Sequence, residues 1–125
     1  LEDKKFREAL SCFDKSLSLL ADDEEKVILV LNARGNCYYY MEDYPKCVDA
    51  YYQAMMIRPA QVRGQTLYNM GVAYAEMERY DDAIKCFEQG ESRGLTPDEV
   101  ALAKEQIRRC KILRKEKEKR AARRR

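Results

Sequence analysis

The chain has 125 residues, 37% of them charged and 46% hydrophobic, which is the size and balance of one folded domain. It contains no histidine, so the commonest metal ligand and neutral-pH general base is absent, and no apolar run approaches the roughly 18 residues that a membrane span needs. The net charge of +2 hides an asymmetry: residues 1–99 hold 12 basic and 19 acidic groups, a net −7, whereas residues 100–125 hold 12 and 3, a net +9.

Residues 3–20 predict a first helix, because Phe6, Ala9, Leu10, Phe13, Leu17 and Leu20 recur at three- and four-residue steps. Ala21-Asp22-Asp23 interrupts it, and either aspartate can cap the next helix. Glu24 and Glu25 then suit the positive end of a second helix, which runs to about Met41 through Val27, Leu31, Gly35 and Tyr38. Asp43-Tyr44-Pro45 opens a third, since proline is tolerated in a first turn, and that helix ends near Ile57, before Pro59.

The fourth helix is expected over residues 61–77, with Leu67, Met70, Gly71 and Tyr74 on one face, and the fifth over 80–92, with Tyr80, Ala83 and Phe87. Only Glu78-Arg79 separates them, which forces an antiparallel pair. A glycine in mid-helix costs about 1 kcal/mol against alanine, so Gly71 needs a packing reason. Gly94 is the expected C-cap of the fifth helix. Thr96-Pro97-Asp98-Glu99 has the elements of a capping box, with proline at the first position. The sixth helix carries Val100, Ala103, Ile107, Cys110 and Leu113 on one stripe. Past Leu113 the stripe stops, and the rest reads as a solvated basic tail in which Glu116 and Arg120 can pair.

The apolar pattern repeats. Gly35, Tyr38, Tyr44, Cys47 and Tyr51 recur 36 residues later as Gly71, Tyr74, Tyr80, Ala83 and Phe87. A half copy, Phe6, Ala9, Phe13 and Ser16, precedes Tyr44, Cys47, Tyr51 and Ala54 by 38. Self-similarity at this period marks a helical repeat array. Leu67, Met70, Gly71, Tyr74, Ala83 and Phe87 resemble the motif of the tetratricopeptide repeat family, as do Leu31, Gly35, Tyr38, Tyr51, Ala54 and Pro59, with Cys47 as the small residue. Two departures stand out: Arg34 where that family usually has an apolar residue, and Gly90 where it has alanine.

The resemblance implies an all-α, right-handed solenoid of helix-turn-helix repeats. Residues 1–21 would be a truncated repeat, 22–59 and 60–95 full repeats, 96–113 a capping helix and 114–125 a basic tail. Because the first helix of the first unit is missing, the chain is expected to be a piece of a longer protein.

Catalysis is not expected. There is no glycine-rich phosphate loop and no nucleophile motif. The acidic cluster Asp22, Asp23, Glu24 and Glu25 has the spacing of a helix start, not of a calcium loop. No cofactor or metal is implied. Five scattered cysteines, odd in number and without a C-x-x-C, read as reduced thiols, which predicts a reducing intracellular compartment.

The expected function is protein–protein interaction, as an adaptor, scaffold or regulatory domain. The resemblance implies that the first helix of each repeat lines a concave groove. Residues off the packing stripe would then meet a partner segment: Asn32, Asn36, Tyr39 and Tyr40 on the second helix, and Gln65, Tyr68, Asn69, Val72 and Glu76 on the fourth. Amides donate to and accept from a peptide backbone, and tyrosine adds apolar area with a polar tip. Asn36, Tyr68 and Asn69 are the expected anchors.

Chaperone-binding members of the family hold a terminal carboxylate with lysine, arginine and asparagine. Asn36 and Asn69 match the asparagines, but Asn32, Asp98 and Leu102 stand where cations belong, so that ligand is not expected. Two alternatives remain open. The tail, with Arg114, Lys115, Lys117, Lys119 and Arg120, could meet nucleic acid or an anionic membrane, although no aromatics interleave with it. Or an open face of Leu10, Phe13 and Leu17 could pair two copies into a homodimer.

Overall fold

The computed structural model describes residues 2–124, with side chains from Lys4 onward; Leu1 and Arg125, the outer ends of the expected first repeat and basic tail, lie outside the described residues. Among the described residues there are six α-helices, one short 3-10 turn and no strand, the all-α architecture that the repeat pattern implies. The helices are α1 (Glu2–Leu19), α2 (Glu24–Tyr40), α3 (Tyr44–Ile57), α4 (Gly64–Glu76), α5 (Tyr80–Glu91) and α6 (Pro97–Arg123), with the 3-10 turn at Pro59–Gln61. They form two compact units, α1–α3 and α4–α6.

In the first unit, Asp23 caps α2 by accepting from the Lys26 amide at 3.2 Å, and Asp43 caps α3 by accepting from the Lys46 amide at 3.4 Å. The connection between them is three residues long and turns on Glu42, whose φ of 62° is left-handed. The Asp43 amide then satisfies the Tyr38 carbonyl at 2.9 Å. At the far end of the hairpin, Arg58 reaches back to Glu24 at 2.8 Å and Glu25 at 3.4 Å. Leu31, Cys47, Ala50, Tyr51 and Ala54 are buried. Gly35 explains itself, because a Cβ there would run into the Tyr51 ring.

α1 rests on α2. Phe6 stacks on Tyr40, with centroids 6.3 Å apart and planes 9° from parallel. Asp14 pairs with Arg34 at 2.9 Å. So the arginine that departs from the family pattern has its carboxylate partner on α1. Leu10, Phe13 and Leu17, expected to lie open, are half-buried; among the described residues the large apolar side chain of α1 that stands open is Leu19.

The second unit repeats the design. Glu78, 36 residues after Glu42, takes the same left-handed turn at φ 59°, and the Arg79 amide closes on the Tyr74 carbonyl at 2.9 Å. Tyr80, Ala83, Ile84 and Phe87 of α5 pack with Ala103, Ile107 and Cys110 of α6. Tyr68, Val72, Tyr74 and Ala75 of α4 and Leu113 of α6 lie half-buried against that cluster. Gly90, the second departure from the family pattern, also has a reason. α4 starts beside it, so a Cβ at Gly90 would lie 3.3 Å from the Gly64 carbonyl oxygen. The Gly64 amide donates to the Arg93 carbonyl at 2.8 Å.

Three boundaries differ from the sequence expectation. α4 begins at Gly64 rather than 61, because the 3-10 turn takes up residues 59–61. α5 is capped at Ser92, and Gly94 supplies the left-handed residue of the following turn, φ 85°. α6 starts on the expected capping box but does not stop near 113; it continues to Arg123. Arg114 of that extension pairs with Asp81 at 2.6 Å, and Lys117 donates to the Glu78 carbonyl at 3.1 Å. These anchors hold what sequence reads as a tail against the α4–α5 corner.

Two outcomes follow from this packing. A Cβ on Gly71 would sit 2.6 Å from Phe87 Cε1, and Phe87 is fully buried. The Gly71→Ala variant should lose about 1–2 kcal/mol in urea unfolding, despite the roughly 1 kcal/mol that helix propensity returns. The thiols give a pH signature. Burial and the nearby Asp43 push Cys47 up to about 12, and burial with Asp82 pushes Cys86 to about 11, against an ordinary value near 9. A neutral thiol is thus favoured in the fold. Its stabilisation is complete below pH 9 and declines as the pH rises towards 12. A thiol reagent at about pH 8 should label exposed Cys12 quickly, and Cys47, Cys86 and Cys110 only on unfolding. Cys47→Ala should flatten the alkaline decline.

Candidate functional site

The described residues hold no group of three or more cysteine, aspartate or glutamate side chains placed to bind a metal. Burial raises the pKa of Cys47, Cys86 and Cys110 and so disfavours their thiolates. What the fold does present is helix faces.

On α2, the face of Asn32, Asn36, Tyr39 and Tyr40 is fixed from behind. Asn36 is exposed, yet its Oδ1 accepts a hydrogen bond from the hydroxyl of Tyr51, a side chain with no exposed surface. That bond occupies the acceptor and orients the carboxamide of an exposed residue. Tyr39 is half-buried between two rings: edge-on to Tyr40 at 5.5 Å and to Tyr44 at 6.5 Å. Tyr40 stays 67% exposed although one side stacks on Phe6. Asn32 is half-buried. The result is a surface with one oriented amide and one open aromatic, both pre-set by packing rather than ordered on contact.

On α4, the five expected residues divide. Gln65 and Glu76 are exposed. Tyr68 and Val72 are half-buried against the α5–α6 core, with Tyr68 edge-on to Phe87 at 5.3 Å. Asn69 is buried, 8% exposed, and its Oδ1 accepts from Gln65 Nε2 at 3.0 Å. The anchor that sequence suggests at Asn69 is therefore a packed residue, and the amide on this face that meets solvent belongs to Gln65. A helical wheel cannot tell the two apart, because they lie one turn from each other on the same side.

The expected basic tail also divides. Arg114, Lys117 and Arg120 turn to the α4–α5 corner, Arg120 reaching Glu78 at 4.0 Å. Lys115 and Lys119 are exposed.

One feature of the first unit is not among the sequence expectations. Leu17 and Ala21, Val27 and Leu31, and Tyr52, Met56 and Ile57 line an open apolar groove of about 590 Å³, with Gln53 as its polar member. Its sequence signal is the exposed pair Tyr52 and Met56, one turn apart on α3 and off the core stripe.

A family model, the tetratricopeptide repeat, matches residues 27–92, which run from the first turns of α2 to the cap of α5. The chain is 29% identical over 96 residues to the 43 kDa receptor-associated protein of the synapse of Gallus gallus, and 29% identical over 93 residues to that of Tetronarce californica. Each match covers 67% of this chain and 23% of the relative, so the chain spans about a quarter of the length of these curated relatives. No solved structure matches it. With two successive helical hairpins in 36-residue register and the family match over more than half of its length, the chain belongs to the tetratricopeptide repeat family of protein–protein interaction modules.

Proposed function

We propose that the chain is an adaptor or regulatory module that captures a segment of a partner protein on the first-helix faces of its repeats. In the first unit the contact residues are Asn32, Asn36, Tyr39 and Tyr40. In the second they are Gln65, Tyr68, Val72 and Glu76, with Asn69 supporting them from beneath through Gln65. The observation that carries this reading is the Tyr51–Asn36 hydrogen bond. A core hydroxyl takes up the acceptor of an exposed amide, whose donors suit a main-chain carbonyl of a bound segment. Tyr40 beside it offers the large, rigid, amphipathic area that interface anchors use. Glu76 at the exposed end of α4 favours a neutral or basic segment over an acidic one. The relatives are named for association with a receptor at the synapse, and a scaffolding role is in keeping with that.

The discriminating variant is Asn36→Asp. It keeps an acceptor for Tyr51 but removes both donors and repels a carbonyl. Partners recovered from cell extract on the intact chain should bind this variant about tenfold more weakly, with circular dichroism and melting unchanged. Their binding should persist in about 0.5 M salt, since amide and apolar contacts are little screened. If every partner binds Asn36→Asp and Tyr40→Ala as it binds the parent chain, the α2 face is not the site.

A further inference from the structure

Nine of the ten basic residues of α6 fall into two lines. Between Pro97 and Arg123 the helix carries ten basic and five acidic residues. Arg114, Lys117 and Arg120 form an inner line at three-residue steps, bonded to Asp81 and Glu78 of the α4–α5 corner. This line fastens the last turns of α6 to the body. Lys104, Arg108, Lys111, Lys115, Lys119 and Arg123 form an outer row at three- and four-residue steps, and all six are exposed. At 100° per residue they span about a third of the circumference, and at 1.5 Å per residue the row is about 28 Å long. Among the described residues, only Arg108 of the six has a carboxylate partner, Glu105 at 2.6 Å, and both of those side chains are 70% exposed. Ile112 sits within the row, 59% exposed.

We infer that this outer row is a docking surface for an acidic α-helix of a partner protein, separate from the α2 and α4 faces. The pitch is the first reason. Carboxylates at three- and four-residue steps on a helix lying alongside recur every 5–6 Å, so each can meet a cation of the row in turn. Ile112 is the second. A protein helix can set an apolar side chain against it, and a phosphate backbone cannot. The third is Glu116, which lies next in sequence to Lys115 and, like Glu105, would repel a uniform polyanion but can be met by a lysine of a protein partner.

Nucleic acid fits less well. α6 has no aromatic side chain on which a base could stack. A bilayer fits less well too. The apolar stripe of Ala103, Ile107 and Cys110 is buried in the core, and the exposed Leu102 and Ile112, ten residues apart, are too little apolar surface to hold a helix in a bilayer.

Fluorescence anisotropy of the intact chain tests this with four probes. The first is a labelled helical peptide of about 24 residues with glutamates along one face around a single leucine. The second has the same composition with the glutamates scrambled round the helix. The third is a duplex DNA of about 24 base pairs, and the fourth is phosphatidylserine vesicles. The patterned peptide should bind about tenfold tighter than the scrambled one, and weaken steeply with salt. Lys111→Glu/Lys115→Glu/Lys119→Glu should abolish binding, the neutral set Lys111→Gln/Lys115→Gln/Lys119→Gln should weaken it, and Ile112→Ser should cost about fivefold. Asn36→Asp should bind the peptide as the parent does, which separates this surface from the α2 face. Circular dichroism checks each variant, and the glutamine set carries the test if the charge reversal frays α6. Equal binding of the two peptides overturns the inference. So does DNA or vesicle binding tighter than the patterned peptide, or indifference to Ile112→Ser. Sedimentation showing that the row instead joins two copies of the chain would overturn it as well.

Discussion

The close approach of two helix backbones at a glycine, with an aromatic ring in the space that a Cβ would fill, is the contact on which the rest of this structure depends. It occurs twice, as Gly35 against Tyr51 and Gly71 against Phe87. Each ring is fully buried, so neither hairpin can shift without opening a void or forcing a clash. The side chains proposed as contacts on α2 and α4 lean on those two contacts. The Tyr51 ring that fills the space over Gly35 also carries the hydroxyl that orients Asn36. The Phe87 ring over Gly71 is the surface on which Tyr68 leans. Core and surface are joined through the same aromatic side chain in both units, although the bond is polar in one and apolar in the other.

Sequence carries the helices and their pairing well, because both rest on local signals that nothing distant overrides. Asp43 caps α3, Thr96 caps α6 in a full capping box, and the small residue at Cys47 or Ala83 lies in the core at its repeat position. It carries the faces less well. Whether Asn69 or Gln65 meets solvent depends on how deep α4 sits, and that is set by Gly64 and Gly90, which let the start of α4 approach the end of α5. The end of α6 is illegible for another reason. Its apolar stripe stops at Leu113, but it is extended by ion pairs to a corner some 33 residues earlier in the chain, and periodicity is blind to those.

The two departures from the repeat motif illustrate how an exception can be physically local. Arg34 cannot pack as an aliphatic side chain would. It pairs with Asp14 and lies 6.0 Å from the centre of the Tyr38 ring, where its long stem still covers apolar surface. α1 is attached to α2 by that ion pair and by the Phe6–Tyr40 stack, with Leu10, Phe13 and Leu17 half-buried. Gly90 is an exception of the opposite kind, a loss of side chain that brings backbones together.

The two inter-helix turns hold one more consequence. Glu42 and Glu78 occupy left-handed backbone at corresponding places, where a residue with a Cβ is held at a cost of about 1 kcal/mol. The hydrogen bonds from Asp43 and Arg79 back to the preceding helices impose that geometry, so the strain is a property of the hairpin and not of the glutamate. Asparagine tolerates this conformation better without the full entropy of glycine in the unfolded chain. A single exchange at position 42 or 78 would act on the stability of its own hairpin through the turn alone, giving evolution a means to adjust that hairpin without touching its core.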